Sequence, residues 1–301
     1  MRLARRQGIS RLYNAPLAGP RAQSLAGGWL PREKYVDSDK KHKLETTINA
    51  LQDRWGSKAI GRWKDKPAEA IPHISTGFQA LDEALVIGGL PRGRISEING
   101  VPSSGMATIA LKIMAEAQGN MAVYIDLEQN FDPAYAARCG LALEQLVLVR
   151  PYTVPQGLAI LQDFVVGTEV NILVFDAPLG RLVESRASQS LATTLGRLIA
   201  PLGKTQSVLL FLISLPAERA PVDAGRPVSA ALAHFASVRL LIQREGWIYR
   251  QGDIGGYQAQ VLVLKNKLGP AGKQASINVV FDAGAPEDGA LEDDGAIGDD
   301  L

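Results

Sequence analysis

Nine residues, Gly100 to Thr108, read Gly-Val-Pro-Ser-Ser-Gly-Met-Ala-Thr. The two glycines stand at the spacing of a loop that wraps a phosphate. An apolar strand-like run, Arg94 to Asn99, precedes them, and a helix-like run from Ile109 to Gln118 follows. Strand, glycine-bounded loop and helix together present backbone N–H groups and a helix N-terminus to an anion. Gly100, Ser103, Ser104, Gly105, Met106, Ala107 and Thr108 are therefore the candidate nucleotide-binding residues. Two of them cannot do the charge work of such a loop. Met106 stands where a lysine would face the β- and γ-phosphates, and Ala107 where a hydroxyl would bind magnesium. A lysine about 4 Å from a phosphate, at an effective dielectric near 20, contributes on the order of 4 kcal/mol before desolvation. Its loss weakens ATP binding by roughly one to three decades and leaves the phosphoryl-transfer transition state less stabilised. Lys112 lies further along the same helix on a different face from Met106, so it is no replacement.

The elements that must hold this loop follow from periodicity. Met121–Asp126, Leu146–Arg150, Asn171–Asp176 and Ser207–Ser214 are apolar throughout, the pattern of strands covered by helices on both faces. Asp132 and Pro133 open a helix, as cap and first-turn residue. Pro155 starts another, and a further helix spans about 186–203. Strands alternating with helices imply an α/β fold with a mostly parallel wound sheet. Beyond Pro216 the texture changes. The runs 236–244, 247–250, 258–264 and 276–281 read as short strands joined by glycine-containing turns, which extend the sheet as antiparallel hairpins. Upstream, Leu44, Ile48, Leu51 and Trp55 make one apolar face of a helix over 39–55, stopped at Gly56.

Composition bounds the rest. The chain has 301 residues, 46% hydrophobic and 21% charged, with formal net charge +1. Bulk charge therefore points to no partner. The charges are unevenly placed. Residues 1–32 carry six arginines and no acid, and residues 282–301 carry eight acids and no base. Both ends read as disordered, one a basic arm and one an acidic tail. One cysteine, Cys139, excludes an intramolecular disulfide and fits a reducing compartment. No apolar run reaches the 18–20 residues of a membrane span. The expected location is the cytoplasm; the arginine-rich, acid-free start also fits an organellar transit peptide.

Four blocks carry a family resemblance. They are Ile74-Ser-Thr-Gly77 through Gly88-Gly-Leu-Pro-Arg-Gly93 to Gly100; Asp126-Leu-Glu128 through Asp132-Pro-Ala-Tyr135; His234-Phe-Ala-Ser-Val-Arg239; and Val263-Leu-Lys265-Asn-Lys267. In this order, over about residues 44–283, they resemble bacterial RecA recombinases. The resemblance implies a RecA-type P-loop NTPase core over 71–283, extended by antiparallel strands. It implies a disordered basic arm (1–38), a helical oligomerisation arm with linker (39–70) and a disordered acidic tail (284–301). By resemblance, Glu128 matches the acid that activates water. Asp132 and Tyr135 match the adenine pocket. Asp176 matches the acid that holds magnesium through water. Lys265 and Lys267 match lysines that reach a neighbouring subunit's ATP. The implied cofactor is ATP or ADP with Mg2+, weakly held.

The departures bear on function. Besides Met106 and Ala107, Leu215 stands where the family has a glutamine that senses the terminal phosphate. The regions matching the DNA-binding loops, about 177–186 and 216–229, are shorter than in a recombinase. They offer Arg181, Arg186, Arg219 and Arg226 for DNA contact and no aromatic residue for stacking. In this the chain is similar to ImuA-type accessory proteins of bacterial mutagenic repair, in an SOS setting. The first reading is an accessory protein that binds single-stranded DNA or a recombinase filament, together with a RecA-type recombinase or repair polymerase. It would assemble as a homo-oligomer or mixed filament, with weak or absent ATP hydrolysis. A DNA-dependent ATPase or recombinase with a divergent loop, and a filament-capping protein that does not touch DNA, are the alternatives.

Overall fold

The computed structural model describes residues 38–57, 59–60, 70–117, 119, 121–216, 229–250 and 253–280. The chain divides into two compact units at residues 68/69. In the first, α1 (Ser38–Trp55) is the helix that the apolar spacing predicts. Leu44, Leu51 and Trp55 on its apolar face are exposed. The basic arm before it and the acidic tail lie outside the described residues, Ser38 excepted.

The second unit is built on one eight-stranded sheet. Its strands are β3 (Arg94–Gly100), β4 (Ala122–Asp126), β5 (Leu146–Val149), β6 (Ile172–Pro178), β7 (Val208–Ser214), β8 (Val238–Arg250), β9 (Asp253–Asn266) and β10 (Gln274–Val280). They lie in the order β10-β9-β8-β3-β7-β6-β4-β5. From β8 to β5 all neighbours are parallel, whereas β9 and β10 add antiparallel. A small antiparallel pair, β1 (His73–Ile74) with β2 (Leu90–Pro91), brackets α2 (Gln79–Leu85) before the main sheet begins.

Helices cover both faces of the parallel part. On one face, α2 and α3 (Met106–Glu116) set Leu81, Leu85, Ile109 and Ile113 against Ile98, Val174, Leu210 and Ile242. On the other, α5 (Val154–Gly167), α7 (Ser185–Leu202) and α8 (Ala230–Phe235) set Leu158, Leu191, Leu195 and Leu232 against Ile95, Phe175 and Phe211. Strand residues one apart thus feed opposite cores, which is why β6 and β7 are apolar without alternation. In β10 the alternation returns: Ala275, Ile277 and Val279 are buried, and Gln274, Ser276 and Asn278 are exposed.

Two expectations are corrected here. The runs 236–244 and 247–250 fall in one strand, β8 (Val238–Arg250), not two joined by a turn. Glu245 is the extra residue of a bulge, the register passing from Arg244↔Ala259 to Gly246↔Gln258, so a glycine that reads as a turn in sequence kinks a continuous ladder. The region 177–186 is not a loop either: β6 runs on to Pro178, α6 (Leu179–Val183) follows, and α7 begins at Ser185. Leu179 and Leu182 are buried, and this pins the segment as a helix.

The two halves of the sheet meet at β3 and β8, and there a charge pair is buried. Arg239 Nε lies 2.7 Å from Glu97 Oε2, and Nη2 lies 3.3 Å from Oε1, with side chains 6% and 0% exposed. The two residues are opposite one another in the parallel register. Removing one partner leaves an uncompensated buried charge, which costs about 3–5 kcal/mol. Arg239→Met is accordingly expected to lower unfolding stability by that amount in urea, and Glu97→Met combined with Arg239→Met to recover most of it. A single substitution that costs under 1 kcal/mol would show that the pair is solvated rather than buried.

Candidate functional site

The carboxyl ends of β3, β4, β6 and β7 share one edge of the sheet, where ligands of open parallel sheets bind. Gly100 ends β3, and its carbonyl accepts the Leu215 N–H from β7's exit (2.8 Å). A Cβ at Gly100 would collide with the Ser104 hydroxyl. The glycine is needed so that the loop can fold back on its own strand. Ser103 (φ 63°) and Gly105 (φ 94°) take left-handed backbone, and this turns the chain into α3. Ser104 is 2% exposed, and its Oγ has no partner among the described residues. The helix starts at Met106, earlier than the periodicity from Ile109 suggests. The Met106 side chain joins the apolar core beneath the helix, while Ala107 is exposed. The loop thus closes on its own strand, without a cation or hydroxyl at the sixth and seventh positions after Gly100.

Beside the loop stand three carboxyls. Asp126 and Asp176 pair in register at the ends of β4 and β6. Asp126 is fully buried. Its carboxyl accepts N–H bonds from Gln129 (2.6 Å), Asn130 (3.4 Å) and Phe131 (3.0 Å), and Arg150 Nε is 3.6 Å away. It therefore shapes the turn that carries Glu128. Asp176 accepts from Tyr124 Oη (2.6 Å). Burial, with Glu128 and Asp126 nearby, pushes its carboxyl up to about 7 against the Tyr124 hydrogen bond. Tyr124's phenol is raised in turn, by burial first and then by Asp176. Glu128 is half-buried, and burial raises it too; the Asn130 amide (2.8 Å) opposes this, Asp126 adds to it, and Arg181 opposes it. Arg181, an expected DNA contact, lies on α6 and donates to the Leu127 carbonyl (3.1 Å). Arg186 is exposed in the first turn of α7. Arg219 and Arg226 lie outside the described residues.

Asp132 caps α4 (Pro133–Arg138): its Oδ1 accepts from Ala134 N (2.9 Å) and Tyr135 N (3.2 Å). Tyr135, one turn into that helix, brings its hydroxyl 2.7 Å from Thr108 Oγ1. Beside them a pocket of about 220 Å³ is lined by Thr108, Lys112, Tyr135, Arg138, Cys139, Val279 and Val280. Asp132 does not line it. A residue not singled out from sequence joins them: Tyr257 of β9 is 4% exposed, and its hydroxyl donates to the Gly105 carbonyl (3.4 Å). No motif marks it, since its place depends on the register of β9 against β8 and β10.

Lys265 and Lys267 come together at the opposite edge of the sheet from the loop. Lys265 Nζ donates to the carbonyls of Ala233 (2.6 Å) and His234 (3.3 Å), and Lys267 Nζ to that of His234 (3.4 Å). Both thus sit on the C-terminal carbonyls of α8, a favourable place for a cation. Leu215, expected from the resemblance at a phosphate-sensing position, is buried among apolar side chains.

ATP with magnesium does not fit these residues as a tightly held group. Met106 is packed in the core, Ala107 has no hydroxyl, and a phenol lies against Gly105. Among the described residues no three His, Cys, Asp or Glu side chains group to hold a metal ion.

A parallel sheet with a glycine-bounded loop after its central strand, and acids ending the strands two and three places away, defines a RecA-type P-loop core. Known proteins agree. The RecA N-terminal domain matches residues 42–286. Protein RecA of Xanthomonas campestris pv. campestris (strain B100) is 32% identical over 282 residues, covering 86% of this chain and 81% of that protein. Protein RecA of Lactiplantibacillus pentosus is 34% identical over 272 residues, covering 84% and 72%. Protein RecA of Clostridium perfringens (strain 13 / Type A) is 33% identical over 279 residues, covering 86% and 79%. The chain belongs to the RecA family.

The Asp176 carboxyl sets a pH dependence. Its folded value, about 7, lies above the usual 3.8. The native state therefore holds the proton more tightly than the unfolded chain, and stability is lost as pH rises from about 4 to about 7. Asp176→Asn is expected to be more stable than the parent at pH 8, by up to about 4 kcal/mol. The difference should shrink to nothing near pH 4. Urea unfolding at pH 4, 6 and 8 reads it; a variant less stable at pH 8 would show that the site holds the charged form.

Proposed function

We propose that this chain is a RecA-like accessory protein of DNA repair or recombination, with weak or absent ATP hydrolysis. Family membership supports the repair or recombination setting. The observation that carries the accessory reading is the loop itself. Its backbone fold is complete, yet Met106 is buried in the core and Ala107 offers no ligand. Leu215 at the sensing position goes the same way. Loss of several polar positions together, with the fold kept, fits a protein selected for assembly and not for turnover. In this reading Glu128, Asp132, Tyr135 and Asp176 keep inherited positions around a weak ATP or ADP site. Lys265 and Lys267 face a neighbouring subunit, and residues 39–70 are the arm through which copies associate. Such a protein resembles the ImuA type and works in the cytoplasm.

DNA contact falls to Arg181, Arg186, Arg219 and Arg226. So few cations neutralise few phosphates, so affinity is low and falls steeply with salt. The partner is a RecA-type filament or a repair polymerase, and the chain acts as the adaptor between single-stranded DNA or that filament and the polymerase.

Two experiments test this. ATP turnover with single-stranded DNA and magnesium is expected to stay at background; robust DNA-stimulated hydrolysis would establish a divergent recombinase instead. Removing residues 1–70 is expected to convert the oligomer seen by sedimentation velocity to a monomer. An unchanged profile would place self-association elsewhere.

A further inference from the structure

Tyr257 stands at the one place where the loop and the pocket must communicate. Gly105 and Thr108, three apart at the start of α3, share a helix face, and Lys112 continues that face one turn on. The loop lies at the head of this face. The pocket lies further down it, lined by Thr108 and Lys112, with Tyr135, Arg138 and Cys139 opposite. Any ligand with one end in the pocket and its phosphates on the loop must cross the face at Gly105 and Thr108.

The Tyr257 ring occupies that crossing. A Cβ added to Gly105 would collide with the phenol oxygen and lie 2.5 Å from Cζ and 2.6 Å from Cε2. The Tyr257 hydroxyl bonds the Gly105 carbonyl (3.4 Å). It is also engaged with Thr108, whose hydroxyl is 2.7 Å from that of Tyr135. Three hydroxyls, from α3, α4 and β9, thus meet between loop and pocket. The ring is braced from behind. Trp247, opposite Tyr257 in the β8–β9 register, meets it edge-to-face at 6.5 Å, and the Arg244 guanidinium stacks on Trp247 at 4.1 Å. On its other side Tyr257 pairs with Val279 of β10, which itself lines the pocket. At 4% exposure the ring has no open solvent to swing into.

We infer that Tyr257 is a specificity-determining residue that narrows the route between the pocket and the phosphate-wrapping loop, so that the site holds nucleoside triphosphates only weakly. This rests on the reading above, in which loop and pocket descend from one nucleotide site. It adds a cause that the loop substitutions do not contain. Met106 and Ala107 weaken the grip on phosphates, whereas Tyr257 narrows their path. A ligand confined to the pocket, a planar heteroaromatic such as a nucleoside, does not meet the ring's barrier.

Equilibrium dialysis of the full chain against labelled ATP with magnesium, and separately against adenosine, tests this. Tyr257→Ser is expected to bind ATP about ten- to a hundredfold more tightly than the parent, the scale on which an overpacking clash is relieved. Tyr257→Phe keeps the ring and is expected to match the parent. Adenosine affinity is expected to stay within about twofold in all three, since no phosphate needs the crossing. Tyr257→Val, which suits a strand, replaces the serine variant if that variant loses its cooperative unfolding transition. A parent that binds ATP as tightly as the serine or valine variant overturns the inference. So does a phenylalanine variant that gains as much, because the barrier would then be the hydroxyl network and not the ring. If the parent hydrolyses ATP with DNA, the accessory reading fails. If the parent is inert and the small variants gain nothing, only the role of Tyr257 fails.

Discussion

The buried pair of Glu97 and Arg239 is the constraint on which the arrangement depends. β3 carries the loop, and β8 begins the antiparallel extension that supplies Tyr257, Lys265 and Lys267. Between these strands the ladder is only five residues long, from Ser96↔Val238 to Gly100↔Ile242. Such a pairing between apolar strands has no strong preference for one register, since a slip by two residues keeps the same faces buried. A carboxyl and a guanidinium that are both buried cannot tolerate that slip, because each would be left without its partner. The pair therefore fixes β8 against β3. Through β8 it fixes where β9 delivers its tyrosine relative to Gly105. A polar contact in the centre of the sheet decides the shape of a site at its edge.

At that edge the carboxyls divide their roles by environment. Asp126 is the most buried, and it is surrounded by N–H donors, so it serves as a structural hub for the turn after β4. Asp176, next to it in register, has a single phenol as donor, and burial moves its carboxyl to about 7. Glu128 sits further out and keeps part of its solvent. Two or three acids at one edge are tolerable when a cation lies among them. Here Arg150 lies 3.6 Å from Asp126, while Arg181 reaches the Leu127 carbonyl rather than forming a close ion pair with Asp176 or Glu128. Near neutral pH the charge that remains is relieved by a proton on Asp176, a cheaper solution than burying two adjacent anions.

The architecture was legible in sequence because it rests on local patterns. Unbroken apolar runs marked β4, β6 and β7, and Asp132-Pro133 marked α4. Strand-like runs joined by short glycine-containing turns marked the antiparallel strands. The site was legible only where it is made of contiguous residues. Gly100 to Thr108 could be read as a loop with missing charges because the motif is local. Three features escaped, each for a physical reason. Glu245-Gly246 reads as a turn, but the ladder absorbs the extra residue as a bulge, and only pairing energetics decides between the two. The segment 177–186 reads as a loop only through its match to a family loop; burial of Leu179 and Leu182 makes it helical. Tyr257 is one aromatic among several in β8 and β9, and nothing in its neighbourhood announces that cross-strand register sets it on Gly105.

These substitutions are not independent of each other. A lysine at 106 would start from a position now packed among Ile109, Ile113 and the strand residues beneath. Its ammonium would need either a bound anion or a long reach to water, and an unpaired charge in that core is costly. With Tyr257 closing the face at Gly105, a phosphate anion could not reach such a lysine from the pocket side. A methionine fills the same volume without a charge to satisfy. The apolar residue at 106 and the ring at 257 therefore support each other. The closed route makes a buried cation a liability, and without the cation an open route recovers only part of the affinity a triphosphate would have. The same logic extends to Leu215, buried where a polar sensor would have no terminal phosphate to meet. The two positions form one coherent solution on an anion-binding backbone, and a single reversion would undo it only in part.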